Sequence, residues 1–309
     1  MINRILIRIK VVQMLYSYLL DPKGMKLSDA HNELEESLNK SYELYHYLLC
    51  MPIELTKMQE VRLDNARNKY LPTEEDLHPN TKFVDNLLVS KLKECESLQE
   101  FVEENKLSWD DSEIYLRLVL DKILESDIYQ VYMASDHRSL EDDSKLWRDI
   151  FRKIVLDDED LAEALEAKSV YWNDDIDTIG TFVLKTFKRF EQEGYSELLP
   201  QFKDDEDRNL AKLLFDSAIQ NKDEYMKLIE QFVSKESWEV DRLAFMDVII
   251  LLVALSEVEK VPSVPTKVTL NEYIEIAKSY STSKSGQFVN GILNSIINYL
   301  KKEGKLFKN

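Results

Sequence analysis

Glycine and proline are scarce in this 309-residue chain, at six and seven. That is about a third of the share found in an average protein, and it removes the residues from which β-turns and tight hairpins are made. An all-β architecture is thereby excluded, and an all-α fold is expected. Two cysteines, Cys50 and Cys95, cannot by themselves build a disulfide framework or a four-ligand zinc site. The N-terminus lacks the small-residue cleavage site of a secretory leader, so the expected location is cytoplasmic. No apolar run approaches the roughly 20 residues that cross a bilayer. The longest, Val248 to Leu255, reads as a buried helix, and no membrane is expected as a partner.

Enzyme signatures are equally thin. His31, His46, His78 and His137 are scattered, without HExxH or other local metal-ligand spacing. Gly286 and Gly291 have the separation of a phosphate loop's two glycines, but no Lys-Ser or Lys-Thr follows. The acidic run Asp157-Asp158-Glu159-Asp160 reads as a solvated loop or helix start, since carboxylates near a helix start complement its dipole without an ion. Catalysis, a metal and a cofactor are therefore not expected.

What is present is a charged, foldable chain: 44% hydrophobic, 32% charged, net charge −18. That sign disfavours a nucleic-acid protein working by bulk positive charge while leaving room for a local basic patch. Ile5 to Leu20 is apolar on nearly every side of a helix and needs neighbours all round. Arg4 and Arg8 lie one turn apart in it, Lys10 lies roughly opposite, and Asp21-Pro22-Lys23-Gly24 reads as its stop. A second helix is expected from Ser28 to about Met51, broken by Pro52, and a third from Ile53 to Tyr70. The stretch 72–79 reads as a loop, followed by helices at about 80–104, 110–134, 143–155 and 175–193.

Beyond Pro200 the pattern sharpens. Leu210, Leu213, Leu214 and Ala218 mark one amphipathic helix; Tyr225, Leu228, Ile229 and Phe232 mark the next. Trp238 to Val258 is strongly apolar and stops before Val264-Pro265. Thr269 and Glu272 have the spacing of a capping box, which predicts a helix start near Leu270. A last helix carries Phe288, Val289, Ile292, Leu293, Ile296, Ile297 and Leu300. Gly291 inside it costs up to about 1 kcal/mol against alanine, so a close helix contact or a functional approach is expected there.

The string Val264-Pro265-Thr266-Lys267-Val268-Thr269-Leu270-Asn271-Glu272, then Ile276-Ala277-Lys278-Ser279-Tyr280 and Ser285-Gly286-Gln287-Phe288-Val289-Asn290-Gly291-Ile292-Leu293, resembles the C-terminal signature of NusB transcription antitermination factors. Trp238, Arg242-Leu243, Asp247, Ala254 and Glu257 keep the family's spacing into it, and Gln13-Met14-Leu15-Tyr16 resembles the family's first helix. The resemblance implies a NusB-like all-helical bundle with an inserted or additional helical region. In that reading residues 1–50 hold N-terminal core helices, 51–200 an additional region without a family role, and 201–309 the C-terminal core.

The function implied is non-catalytic: transcription regulation by binding single-stranded, boxA-type RNA of ribosomal transcripts, together with the ribosomal protein NusE, within the RNA polymerase antitermination complex. Arg4, Arg8 and Lys10 take the place of the family's basic N-terminal segment, Gln13 and Phe288 match positions near its RNA face, and Lys278 and Lys284 add charge there. Tyr16 and Glu257 match positions near the NusE face. Read from the residues alone, Arg4, Arg8, Lys278, Lys284 and Phe288 supply the cations and the stacking ring that single-stranded RNA needs. The chain departs from the family where Ile5, Leu6 and Ile7 interrupt the N-terminal basic cluster, where Leu252 stands for a frequent arginine, and where Lys284 stands for a frequent acid. The alternative from another class is a helical protein-interaction scaffold with no RNA role, favoured by the net charge and the long middle.

Overall fold

The computed structural model describes residues 1–20, 24–192, 194–235 and 243–308. Among these there are fifteen α-helices and no strand: α1 (Arg4–Leu20), α2 (Leu27–Arg67), α3 (Glu74–Leu77), α4 (Leu87–Lys93), α5 (Glu96–Asn105), α6 (Glu113–Glu125), α7 (Asp127–Ala134), α8 (Leu140–Ile150), α9 (Glu159–Glu166), α10 (Ile176–Phe190), α11 (Asp205–Gln220), α12 (Lys222–Lys235), α13 (Phe245–Lys260), α14 (Thr266–Tyr280) and α15 (Ser285–Lys302). None is long and apolar enough to cross a membrane. The chain divides into a discontinuous unit of residues 2–38 and 202–309 and a middle unit of residues 39–201. Charge divides with it. The discontinuous unit has 20 basic and 22 acidic side chains, whereas the middle unit has 20 and 36.

In the discontinuous unit α13 is the central helix, packed against α1, α11, α12, α14 and α15. Its sequence explains this, because residues 249–255 are all fully buried and a helix apolar all round stands only where neighbours cover every side. Helix α1 packs on α11 and α13, as its own all-round apolar pattern requires. Ala30, Leu34 and Leu38, spaced by four, bury the first part of α2 in the same unit.

In the middle unit α8 packs against α4, α7 and α10 and continues into a π-helical turn at Phe151–Val155. Trp147 is fully buried there, and Phe151 meets Phe187 edge to face at 5.1 Å. The later part of α2 is held by polar contacts as well as packing. Trp172 Nε1 donates to the Lys40 carbonyl at 2.8 Å, Trp109 Nε1 to the Tyr47 carbonyl at 3.0 Å, and Tyr45 pairs with Thr186 at 2.6 Å.

Several boundaries differ from the sequence reading. Helix α2 runs through Pro52 without ending. Proline removes one donor and crowds the preceding turn, but Pro52 is buried, and Thr56 Oγ1 donates to the Pro52 and Ile53 carbonyls at 2.9 and 3.0 Å. The 72–79 loop contains one helical turn, capped reciprocally by Thr73 and Asp76. The expected helix at 110–134 is two helices because Ser126 caps the second, its Oγ accepting from the Tyr129 amide at 3.2 Å. The expected turn at 21–23 and the segment 236–242, with Trp238 and Arg242, lie outside the described residues.

Two glycines separate packing from propensity. A Cβ on Gly180 would stand 2.7 Å from both Leu156 methyls, whereas one on Gly291 would meet nothing within 4 Å. The close helix contact expected at Gly291 is therefore absent. Gly180→Ala has to push aside the methyl ends of the Leu156 side chain, which offsets its gain in helix propensity, so it should be less stable than Gly291→Ala. Gly291→Ala should stabilise the protein by about 0.4–1 kcal/mol, because an exposed helical glycine only adds unfolded-state entropy. Urea denaturation of the two variants measures the difference.

Candidate nucleic-acid interface

Arg4, at the start of α1, is half-buried. Its Nε donates to Asp207 Oδ1 at 2.6 Å, its Nη2 lies 3.2 Å from Glu206 Oε1, and Ser263 bridges, accepting from Arg4 at 3.4 Å while donating to Glu206. Both acids occupy the first turn of α11, capped by Asp204, where negative charge also favours the helix dipole. Burial opposes the Arg4 charge, but the two carboxylates outweigh it and raise its pKa.

One turn on, Arg8 is 2% exposed, and its guanidinium grips the fully buried Glu257 of α13 in a fork, Nε to Oε2 at 2.7 Å and Nη2 to Oε1 at 3.1 Å. Such a bidentate pair is the strongest geometry open to the two side chains. From α14, Thr269 Oγ1 donates to Oε1 at 2.7 Å and Tyr273 OH reaches Oε2 at 3.5 Å. Glu272 Oε2 stands 3.5 Å from Arg8 Nη1, and Lys308 donates to the Glu257 carbonyl at 2.9 Å. Burial and the adjacent Glu257 charge push the Tyr273 hydroxyl far above its ordinary range, so it stays a donor. Thr269 is thus spent on Glu257 inside the helix, which explains why α14 begins at Thr266 and not at the expected capping box.

At the far end of α14, Lys278 pairs with Glu275 at 2.6 Å and lays its stem against Gly286, where a Cβ would meet Lys278 Cγ at 2.9 Å. Lys284, the residue before α15, is exposed and in no ion pair among the described residues. Phe288 is 4% exposed and lies with Val289 and Ile292 on the buried side of α15. The opposite side exposes Gln287, Asn290, Gly291, Asn294 and Asn298. At 100° per residue these five fall in one stripe, uncharged and rich in both donors and acceptors. Among the described residues no group of three or more His, Cys, Asp or Glu is placed to hold a metal ion.

The family model described as "NusB family" matches residues 181–298. The transcription antitermination protein NusB of Salinibacter ruber is 38% identical over 110 residues, covering 36% of this chain and 68% of the relative. That of Natranaerobius thermophilus is 32% identical over 114 residues, 36% of this chain and 81% of the relative. The chain belongs to the NusB family. The protein of the same name from Clostridium novyi is 36% identical over 113 residues, with 34% and 84% covered. No solved structure gives a match.

Helix α1 lies outside the family match, yet it packs into the same unit as the matched helices α11 to α15. Within this NusB unit the structure differs from the expected surface. Arg8 and Lys10, expected to face RNA, are 2% and 3% exposed, and Glu257, expected at a partner face, is 0% exposed. The reason is electrostatic: Glu257 is surrounded by apolar α13 neighbours and must be paired, and Arg8 is the cation that reaches it. Gln13 and Tyr16 are half-buried, with the Tyr16 ring 5.2 Å from that of Phe245. Of the expected RNA contacts, Lys278 and Lys284 are exposed, Lys278 in its pair with Glu275, and Arg4 is partly so. The amide stripe was missed by the sequence reading, although its spacing of three, four, seven and eleven was legible there.

Removing one partner of a buried pair strands the other charge and typically costs 3–5 kcal/mol. Arg8→Met should therefore destabilise the protein by about 3–5 kcal/mol and Glu257→Gln by a comparable amount, measured by urea denaturation. A charge reversal at Arg8 should unfold the NusB unit and not merely weaken a ligand.

Proposed function

We propose that this NusB-family protein is an RNA-binding antitermination factor that acts with NusE on boxA-type RNA of ribosomal transcripts, in the cytoplasm and within the RNA polymerase antitermination complex. The reading is carried by one observation: the family signature at Ser285–Leu293 forms a helix whose outer stripe is amide side chains and whose N-terminus stands beside Lys278 and Lys284. Helix N-termini and lysines favour phosphate. Asparagine and glutamine supply the paired donors and acceptors that read unstacked bases. Arg4, beside Ser263 at the opposite end of α14 from Lys278 and Lys284, is left out of this face, its cation held by Glu206 and Asp207. Phe288 packs on the buried side of α15 behind the stripe, Arg8 and Lys10 are buried in α1, and Tyr16 is proposed at the NusE face.

The charge division supports this reading. The net −18 of the chain is carried almost wholly by the middle unit, so the NusB unit offers RNA a nearly balanced surface. The middle unit is then an addition to an RNA-binding core, with no part in catalysis.

Fluorescence anisotropy with a boxA-like oligonucleotide, with and without NusE, tests the reading. Lys278→Glu with Lys284→Glu should weaken RNA binding at least tenfold, about 1.4 kcal/mol, with helix content unchanged. The salt dependence should become shallower by about 0.7 for each phosphate that the variant no longer neutralises. Unaltered affinity and slope would leave the scaffold reading and remove the RNA face from this end of α15.

A further inference from the structure

The middle unit contains a cleft of about 700 Å³ whose walls and rim offer acceptors. Its inner wall is aromatic: His46 stacks on Phe101 with ring centroids 3.7 Å apart, and Tyr42 meets both edge-on at 4.5 and 5.4 Å. Its rim carries Glu94, Glu96 and Glu197, all exposed and in no ion pair among the described residues. A cluster of acids alone would be a solvated surface. His46 is the independent observation. It is 1% exposed, and its Nδ1 faces the Tyr42 carbonyl at 2.8 Å, which places the proton on Nδ1. Nε2 is then a lone pair with no hydrogen-bond partner among the described residues, on a ring that lines the cleft. Burial lowers the His46 pKa to about 4, so the lone pair persists at neutral pH.

The cleft is held open by its frame. Lys91 donates to the carbonyls of Phe190, Gln192 and Tyr195 at 2.9, 3.3 and 3.3 Å, so this nearby cation is committed to the backbone of the opposite wall. Tyr42 OH ties the same segment through the Leu199 carbonyl at 3.0 Å.

We propose that this cleft takes an arginine side chain of a basic protein segment, making the middle unit a docking site for a cationic partner protein. A guanidinium is planar, stacks on aromatic faces and presents five donors in a fork. Here it meets the exposed part of Phe101, the His46 lone pair and three unpaired carboxylates. The excess of 36 acidic over 20 basic side chains in the unit steers such a segment toward it. Single-stranded RNA is disfavoured at this site, because the three rim carboxylates and the acidic excess of the unit repel phosphate. This inference is independent of the RNA face on α15.

The test uses the full-length protein and a labelled, end-blocked peptide of three arginines separated by glycines, at near-physiological salt. The same peptide with citrulline in place of arginine keeps the shape and removes the charge. Glu94→Gln/Glu96→Gln/Glu197→Gln should weaken arginine-peptide binding at least tenfold. Glu103→Gln/Glu104→Gln/Glu125→Gln, with the same charge change at exposed positions outside the cleft, should change it less than threefold. Phe101→Leu should weaken binding about threefold or more, and the citrulline peptide should not bind. Equal losses in the two triple variants would show bulk attraction and overturn the site, as would failure of the unaltered protein to bind the arginine peptide.

Discussion

A carboxylate with no access to water has to be paired, and in this protein that carboxylate is Glu257. It sits near the end of the apolar helix α13, and its partners come from segments far apart in the chain: Arg8, 249 residues upstream, and Thr269 and Tyr273 downstream, while Lys308 takes its main-chain oxygen. The fork from Arg8 ties the first helix to the C-terminal helices, which is why a unit made of residues 2–38 and 202–309 holds together across 163 intervening residues. Arg4 repeats the device at lower cost, meeting Glu206 and Asp207 at the first turn of α11, where its charge stays partly hydrated.

This constraint also decides which cations are left for a ligand. A cation spent on a buried carboxylate is not available to a phosphate, so Arg8 serves the fold. Of the cations expected at RNA, Lys278 and Lys284 are the ones that stay exposed, beside a stripe of neutral amides. The acidic excess lies on the middle unit. A net charge taken over the whole chain is a poor guide when the charges are sorted by unit.

The helical class was legible because six glycines and seven prolines leave few turns, and α13 and α15 were legible because their apolar residues recur without ambiguity. The family signature was legible because it is contiguous. Arg8 was not, since an arginine at a helix start reads the same whether it meets water or a carboxylate 249 residues away. Thr269 has the spacing of a cap, but a buried acceptor claimed its hydroxyl. Pro52 reads as a stop, yet tertiary burial carries α2 through it. For Arg8 and Thr269 a partner on another helix overrode the local preference, and only the local preference is written in the sequence.

The most direct measurement is a double-mutant cycle on Arg8 and Glu257, comparing Arg8→Met, Glu257→Gln and the pair by urea denaturation. If the buried fork joins α1 to the C-terminal helices, the double variant should be no less stable than the weaker single one, with a coupling of about 2 kcal/mol or more. Additive losses, with coupling below about 0.5 kcal/mol, would contradict the account, because the two side chains would then act independently.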